Sequence, residues 1–364
     1  MEGLRACFGV LERTAYLNAG TDGPLPQAAV HAAAHELEAQ ARNGRTRAHF
    51  ERRGELALAL RERYARALGA EPADVALTTC TSEGIAVVID GLGLGAGDEI
   101  LTSEEEHPGL LGALAAAREL RGVAVRMAPL REIAEAVGER TRLIACCHIG
   151  WMSGLRAPAQ LAQLAVPVLL DGAQGVGAVP VDVRALGCAA YAGAGQKWLC
   201  GPDGTGMLYV SPVLRERLAV HRRGYGNLAE PGLGIDSPLH EDARRFDTLA
   251  LSAEALASAV AAADVLERVG WQRVHERARA LAATLAERLA AIGREPAPRS
   301  DTTLVSFPSR DPQAERERLA AAGVVLRDIP GTPWLRASVG AWNDERDLDR
   351  LIDALRTHPD RSPE

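Results

Sequence analysis

Val166-Pro-Val-Leu-Leu-Asp171-Gly-Ala-Gln174 is an apolar run that ends on a carboxylate and then turns through glycine. A strand with one wet face alternates polar and apolar residues. A near-continuous apolar run fits a strand buried on both faces. The same pattern recurs on either side, at residues 75–79, 99–103, 123–128, 142–147, 189–192 and 206–210. Helix-forming stretches such as 109–120 separate many of these runs. That alternation predicts an α/β fold with a doubly wound, mostly parallel sheet of seven strands.

Beyond residue 235 the pattern changes. Residues 251–292 are almost all helix formers, broken near Val269-Gly270. Val274, Ala278, Leu281, Leu285 and Leu289 share one helical face. A strand at 303–307, a helix from Asp311, a short run at 324–326, a strand at 334–339 and a helix from Asp344 follow. This reads as a smaller α+β unit. We expect a large domain over 15–240 and a small one over 241–364 with 1–14. The Gly-, Pro- and Arg-rich stretch 211–248 connects them, and the polar tail 358–364 is expected to fray.

The chain has 364 residues and a net charge of −7. An acidic balance does not favour a nucleic-acid surface. No apolar run is long enough for a transmembrane helix, and the N-terminus lacks the apolar core of a secretory signal. The six cysteines are scattered without a CxxC pair. A cytoplasmic protein with reduced thiols and no metal site is expected.

Ligands of open α/β sheets sit beyond the carboxyl ends of the strands. Polar clusters follow the predicted strands there: Cys80-Thr81-Ser82-Glu83-Gly84, Glu106-His107-Pro108, His148 to Gly154, Asp171-Gly-Ala-Gln174 and Gly195-Gln196-Lys197-Trp198. Lys197 is the only lysine among 41 basic Lys and Arg residues. Arginine keeps its proton, whereas a desolvated lysine can become a neutral amine and form an imine with an aldehyde. A lysine imine, with an aspartate on a pyridine nitrogen, is what a protein contributes to pyridoxal phosphate chemistry. Asp171 fits the second role. The turn at Thr81-Ser82 opens a helix, whose free N–H groups suit a phosphate.

Asp171-Gly-Ala-Gln174 followed by Gln196-Lys-Trp-Leu-Cys-Gly-Pro-Asp-Gly-Thr-Gly-Met-Leu-Tyr209 resembles the class V aminotransferase family. That family includes cysteine desulfurases, isopenicillin N epimerase-like enzymes and hercynylcysteine sulfoxide lyases. Tyr16-Leu-Asn18, Thr81-Ser-Glu-Gly84, Glu106-His107, Arg336-Ala-Ser338 and Asn343 extend the likeness over nearly the whole chain. The resemblance implies a type I pyridoxal-phosphate transferase fold and an active site at a homodimer interface. It implies Lys197 as the Schiff-base lysine, Asp171 as the pyridinium partner and His107 as the ring-stacking residue. It further implies Gln174 at the phenolic oxygen, Thr81 and Ser82 at the phosphate, Gln196 in the cofactor shell and Arg336 on the substrate carboxylate.

Four departures bear on the reaction. Gln196 stands where the family often has His, Ala194 where it has Ser, and Trp151 where it has Asn. The loop Asp328-Ile-Pro-Gly-Thr-Pro-Trp334 lacks the persulfide cysteine of a desulfurase. The expected function is therefore an amino-acid C–S lyase working by β-elimination. An aminotransferase or epimerase is the alternative, and a non-catalytic scaffold comes from another class. Gly91-Leu-Gly-Leu-Gly-Ala96 matches a dinucleotide fingerprint, but a predicted strand rather than a helix follows it, against a dehydrogenase.

Overall fold

A computed structural model describes residues 2–357, so the tail expected to fray lies outside the described residues. The chain begins with helix α1 (Glu2–Arg5), strand β1 (Ala15–Tyr16) and two long helices, α2 (Gln27–Asn43) and α3 (Arg47–Leu68). Helix α3 ends on Gly69 at φ 63°, a left-handed position that glycine occupies without steric cost.

The sheet-forming region follows. It runs through β2 (Val75–Thr78), α4 (Thr81–Gly91), β3 (Glu99–Ser103), α5 (Pro108–Arg121) and β4 (Ala124–Ala128). It continues with β5 (Thr141–Cys147), β6 (Val168–Asp171), β7 (Ala190–Ala194), β8 (Gly206–Val210) and the single-turn α6 (Pro212–Arg215). The strand order is β2-β8-β7-β6-β5-β3-β4. All pairs from β7 to β4 are parallel, while β8 runs antiparallel to both neighbours. The reason lies in chain length. Residues 195–205 link β7 to β8 and are too few for a parallel crossover with its helix. The dinucleotide-like glycines end α4 and lead into β3, as expected for a loop entering a strand.

The apolar runs are continuous because alternate residues enter two different cores. Leu101, Ile144, Leu170, Tyr191 and Met207 face the side carrying α3. Ile100, Leu143, Leu169, Ala192 and Leu208 face the side carrying α4 and α5.

The last third contains α7 (Ala253–Val269), α8 (Trp271–Ala291), β9 (Leu304–Pro308), α9 (Pro312–Ala321), β10 (Val324–Val325), β11 (Arg327–Asp328), β12 (Trp334–Ser338) and α10 (Glu345–Arg356). Gly270, at φ 89°, makes the break between α7 and α8. Strands β11-β12-β9 form an antiparallel sheet packed on Leu281, Leu285, Leu348 and Leu351. Helix α7 adds Ala253, Leu256 and Ala259 to the large core beside α3. At the expected boundary near residue 15, β1 pairs in parallel with β10, and Ala15 and Leu17 join the small core. This N-terminal strand delivers the turn at residues 18–23 to the carboxyl ends of the large sheet. Among the described residues no helix is long and apolar enough to cross a membrane.

Candidate active site

Asp171 is the last residue of β6 and is buried. Its Oδ1 accepts from the Ala173 N–H at 2.9 Å. Burial pushes its carboxyl above the usual range, against that hydrogen bond and the nearby Lys197 charge. The turn after it needs Gly172, because a Cβ there would collide with the Tyr191 ring. Tyr191 in turn hydrogen-bonds buried His148 at 3.0 Å, and burial holds that imidazole neutral, down to about 3.

Lys197 lies on the short link between β7 and β8, held to the N-terminal turn. The Gly23 N–H donates to the Gln196 carbonyl at 2.7 Å, and a Cβ on Gly23 would strike the Lys197 carbonyl. Among the described residues the Lys197 ammonium has no hydrogen bond or ion pair. Burial lowers it to about 8; Asp171 and Asp22 favour its charge, while Arg336 and Arg327 oppose it. Oε1 of neighbouring Gln196 is buried without a hydrogen-bond partner among the described residues.

His107 caps α5, its Nδ1 accepting from the Gly109 N–H at 3.0 Å. The neutral ring then carries its proton on Nε2. Burial, with the charges of Lys197, Arg327 and Arg336, lowers it to about 4. Its ring meets Trp151 edge-on, with centroids 5.1 Å apart. The preceding Glu106 braces two strand ends, accepting from the Ser103 hydroxyl and from the Cys147 N–H at 2.9 Å. Burial raises it to about 7.

Thr81 and Ser82 begin α4, and no side chain caps this helix. Thr81 Oγ1 is buried without a hydrogen-bond partner among the described residues. Ser82 is exposed and stands beside Gly109 at the start of α5. Gln174 is buried; its Oε1 accepts from Trp198 Nε1 at 3.0 Å and its Nε2 donates to the Gly20 carbonyl at 2.7 Å. One amide N–H of Gln174 remains.

Arg336, on β12, is fully buried. Its Nη1 donates to the Trp151 carbonyl at 2.7 Å and Nη2 reaches Thr21 Oγ1 at 3.5 Å. It has no carboxylate partner among the described residues, and burial and Arg327 both work against its charge. A buried guanidinium without an anion is costly.

Lys197, Asp171, His107 and Arg336 thus share one electrostatic environment, as do Asp22 and Arg327, which sequence reasoning missed. Asp22 sits in a turn that looked like an ordinary loop. Arg327 immediately precedes the cysteine-free loop and carries no signal of its own in sequence; its pairing with Arg336 is a tertiary fact. Trp151, noted as a departure, packs between His107 and Arg327.

These residues fit pyridoxal phosphate. An unpaired amine adjoins a strand-end carboxylate, and an unpartnered buried hydroxyl stands at an uncapped helix N-terminus. Among the described residues there is no group of three or more His, Cys, Asp or Glu that could hold a metal.

Comparison with known proteins agrees. Isopenicillin N epimerase of Amycolatopsis lactamdurans is 30% identical, covering 93% of this chain and 94% of that protein. A cysteine desulfurase of Salmonella agona is 26% identical over 98% of this chain and 97% of its own. The solved complex of the cystine C–S lyase C-DES with its product cysteine persulfide superposes with a TM-score of 0.91 at 27% identity, covering 98% of this chain and all of that one. A C-DES variant with glycine covalently linked to its pyridoxal phosphate cofactor superposes with a TM-score of 0.90 at 27% identity, over 96% of this chain and 98% of that one. The profile of the class-V aminotransferases matches residues 15–351, and the chain belongs to that family of enzymes.

Proposed function

We propose that this enzyme uses pyridoxal phosphate to cleave the β C–S bond of a cysteine-derived amino acid, releasing pyruvate, ammonia and a sulfur-bearing fragment. The observation that carries the reading is a buried Lys197 amine that shares one electrostatic environment with a buried Arg336, neither having a carboxylate partner among the described residues. The cofactor supplies an electron sink for the carbanion left when the α-proton departs. Lys197 would hold it and carry the proton, Asp171 would favour the protonated ring nitrogen, and neutral His107 would pack on the ring. Thr81, Ser82 and the α4 N–H groups would take the phosphate; Gln174 and Gln196 would offer polar atoms to the rest of the cofactor. Arg336 binds the substrate α-carboxylate.

Elimination is preferred over sulfur relay because no cysteine lies in the 328–334 loop, and buried Cys200 has its thiol pushed well above the usual range. The likeness to a cystine C–S lyase supports the same choice. The epimerase relative keeps inversion at the α-carbon as the second reading. A single turnover with an S-substituted cysteine decides between them. Pyruvate released with the enzyme ready for a second turnover is the expected result. A keto acid formed once per site, with renewed turnover only after adding another keto acid, would establish transamination instead. Recovery of the inverted amino acid would establish epimerisation.

Arg336→Lys should raise KM for a simple amino acid about tenfold to a hundredfold with a smaller effect on kcat. Lysine cannot hold Trp151 and present a bidentate fork together. Steady-state kinetics at saturating cofactor measure it, and an unchanged KM refutes the carboxylate role.

A homodimer is also proposed. Phe50 and Leu58 on α3, with Tyr225, Leu233 and Ile235 from the connecting stretch and Leu249 just after it, are exposed large apolar residues. Such surface marks an interaction face. Phe50, Leu58 and Leu249 line one groove with Thr248. Sedimentation should give twice the chain mass, with Leu249→Arg weakening association and activity together. A fully active monomer would overturn the proposal.

A further inference from the structure

Glu106 uses only one of its two carboxyl oxygens. Its Oε1 takes both donors, the Ser103 hydroxyl at the end of β3 and the Cys147 N–H at the end of β5, the latter at 2.9 Å. Ser103 Oγ itself accepts from the Glu105 N–H at 3.2 Å, which leaves its proton for Glu106. Glu106 Oε2 is buried without a hydrogen-bond partner among the described residues. No basic side chain there acts on the group. A proton on Oε2 therefore displaces no hydrogen bond. Glu106 can change its charge without releasing either strand.

That change of charge reaches Asp171. Cys147, whose N–H holds Glu106, is the direct register partner of Asp171 across β5 and β6. The two carboxyl groups thus end up beside one strand pair, and Asp171 opposes the Glu106 charge. The other titratable groups around Glu106 are silent. The Cys146 and Cys147 thiols of β5 are pushed well above their usual range by burial and stay protonated. On the segment that carries Glu106, Glu105 is engaged by the Ser153 hydroxyl at 2.6 Å and His107 is neutral. Two buried carboxyl groups disfavour each other's ionisation, and a cation held on one favours the charge of the other.

Resting on the Asp171 role proposed above, we propose that Glu106 is a positioning residue for the ring nitrogen of the cofactor, a second carboxyl group that acts through Asp171, ionises as the protonated ring binds, and tightens cofactor binding as pH rises. Burial, reinforced by Asp171, puts the Glu106 carboxyl at about 7. A protonated ring on Asp171 lowers it. The added affinity is then fully present above about pH 7 and is lost as pH falls through the lowered value.

Pyridoxine 5′-phosphate tests this, because its alcohol replaces the aldehyde and cannot form an imine with Lys197. It is titrated calorimetrically into the full chain stripped of cofactor, at about pH 5 and about pH 8. The titrations of the probe itself are common to all variants, so proteins are compared at each pH. Wild type and Glu106→Gln should bind it equally at the lower pH. At the higher pH the wild type should bind about tenfold tighter. Ser103→Ala removes a donor that favours the carboxylate, so it should fall between them at the higher pH. In an Asp171→Asn background, Glu106→Gln should change nothing at either pH. A Glu106→Gln loss of the same size at both pH values would make Glu106 a brace only and overturn the inference. So would a loss that persists in the Asp171→Asn background, or no loss at all while Asp171→Asn alone still weakens binding. Asp171→Asn binding as tightly as the wild type at the higher pH would instead overturn the Asp171 role on which the inference rests.

Discussion

Lys197→Ala should lower turnover by roughly 10²–10⁴-fold or more, because it removes the amine proposed to hold the cofactor and carry the proton. No second lysine exists in the chain to substitute for it. Borohydride reduction of the holoenzyme followed by peptide mapping should place the cofactor label on Lys197 alone. The pH dependence follows from the lowered amine. Only the neutral form is nucleophilic, and burial brings its titration to about 8. The rate of cofactor uptake by the stripped enzyme should therefore rise with pH through about 8 and level off above it. At pH 7 roughly a tenth of the amines are then neutral, against well under a thousandth for an ordinary lysine. A label on no lysine, or an uptake rate still rising beyond pH 10, would sink the assignment.

Asp171→Asn should cost about 100-fold or more in kcat while the protein stays folded. Asparagine retains an oxygen to accept from the Ala173 N–H and nearly the same volume, so the loss isolates the charge. Without the carboxylate, the ring nitrogen is no longer held protonated and the electron sink weakens. Thermal melts should change little, since burial already disfavours the Asp171 charge in the fold. Near wild-type kcat would refute the pairing. A collapsed melt would assign the carboxylate a structural role.

Much of the large sheet was legible in one dimension. Strands buried on both faces must be apolar throughout, so residues 142–147 and 166–171 betray β5 and β6 without any partner in view. Their carboxyl ends are equally legible, because polar residues tolerated just past an apolar run mark where the sheet meets solvent or ligand. Asp171 and the only lysine, Lys197, follow from that rule. The antiparallel run of β8 was not read, because it depends on the length of the 195–205 link rather than on composition. Strand β1 is two residues long and carries no periodicity; its pairing with β10 needs the whole small core.

The primary structure by itself determined the alternating α/β architecture and singled out the proposed lysine and aspartate, since burial demands and side-chain chemistry are local properties. It determined too that no cysteine occupies the 328–334 loop. Only the tertiary structure decided which charges go unpaired. Asp22, Lys197 and Arg327 are more than a hundred residues apart in sequence, and their lack of partners exists only once three segments converge. A charge's cost depends on its surroundings in space, so this grouping appears only when the turn after β1, strand β11 and the 195–205 link are brought to one sheet edge.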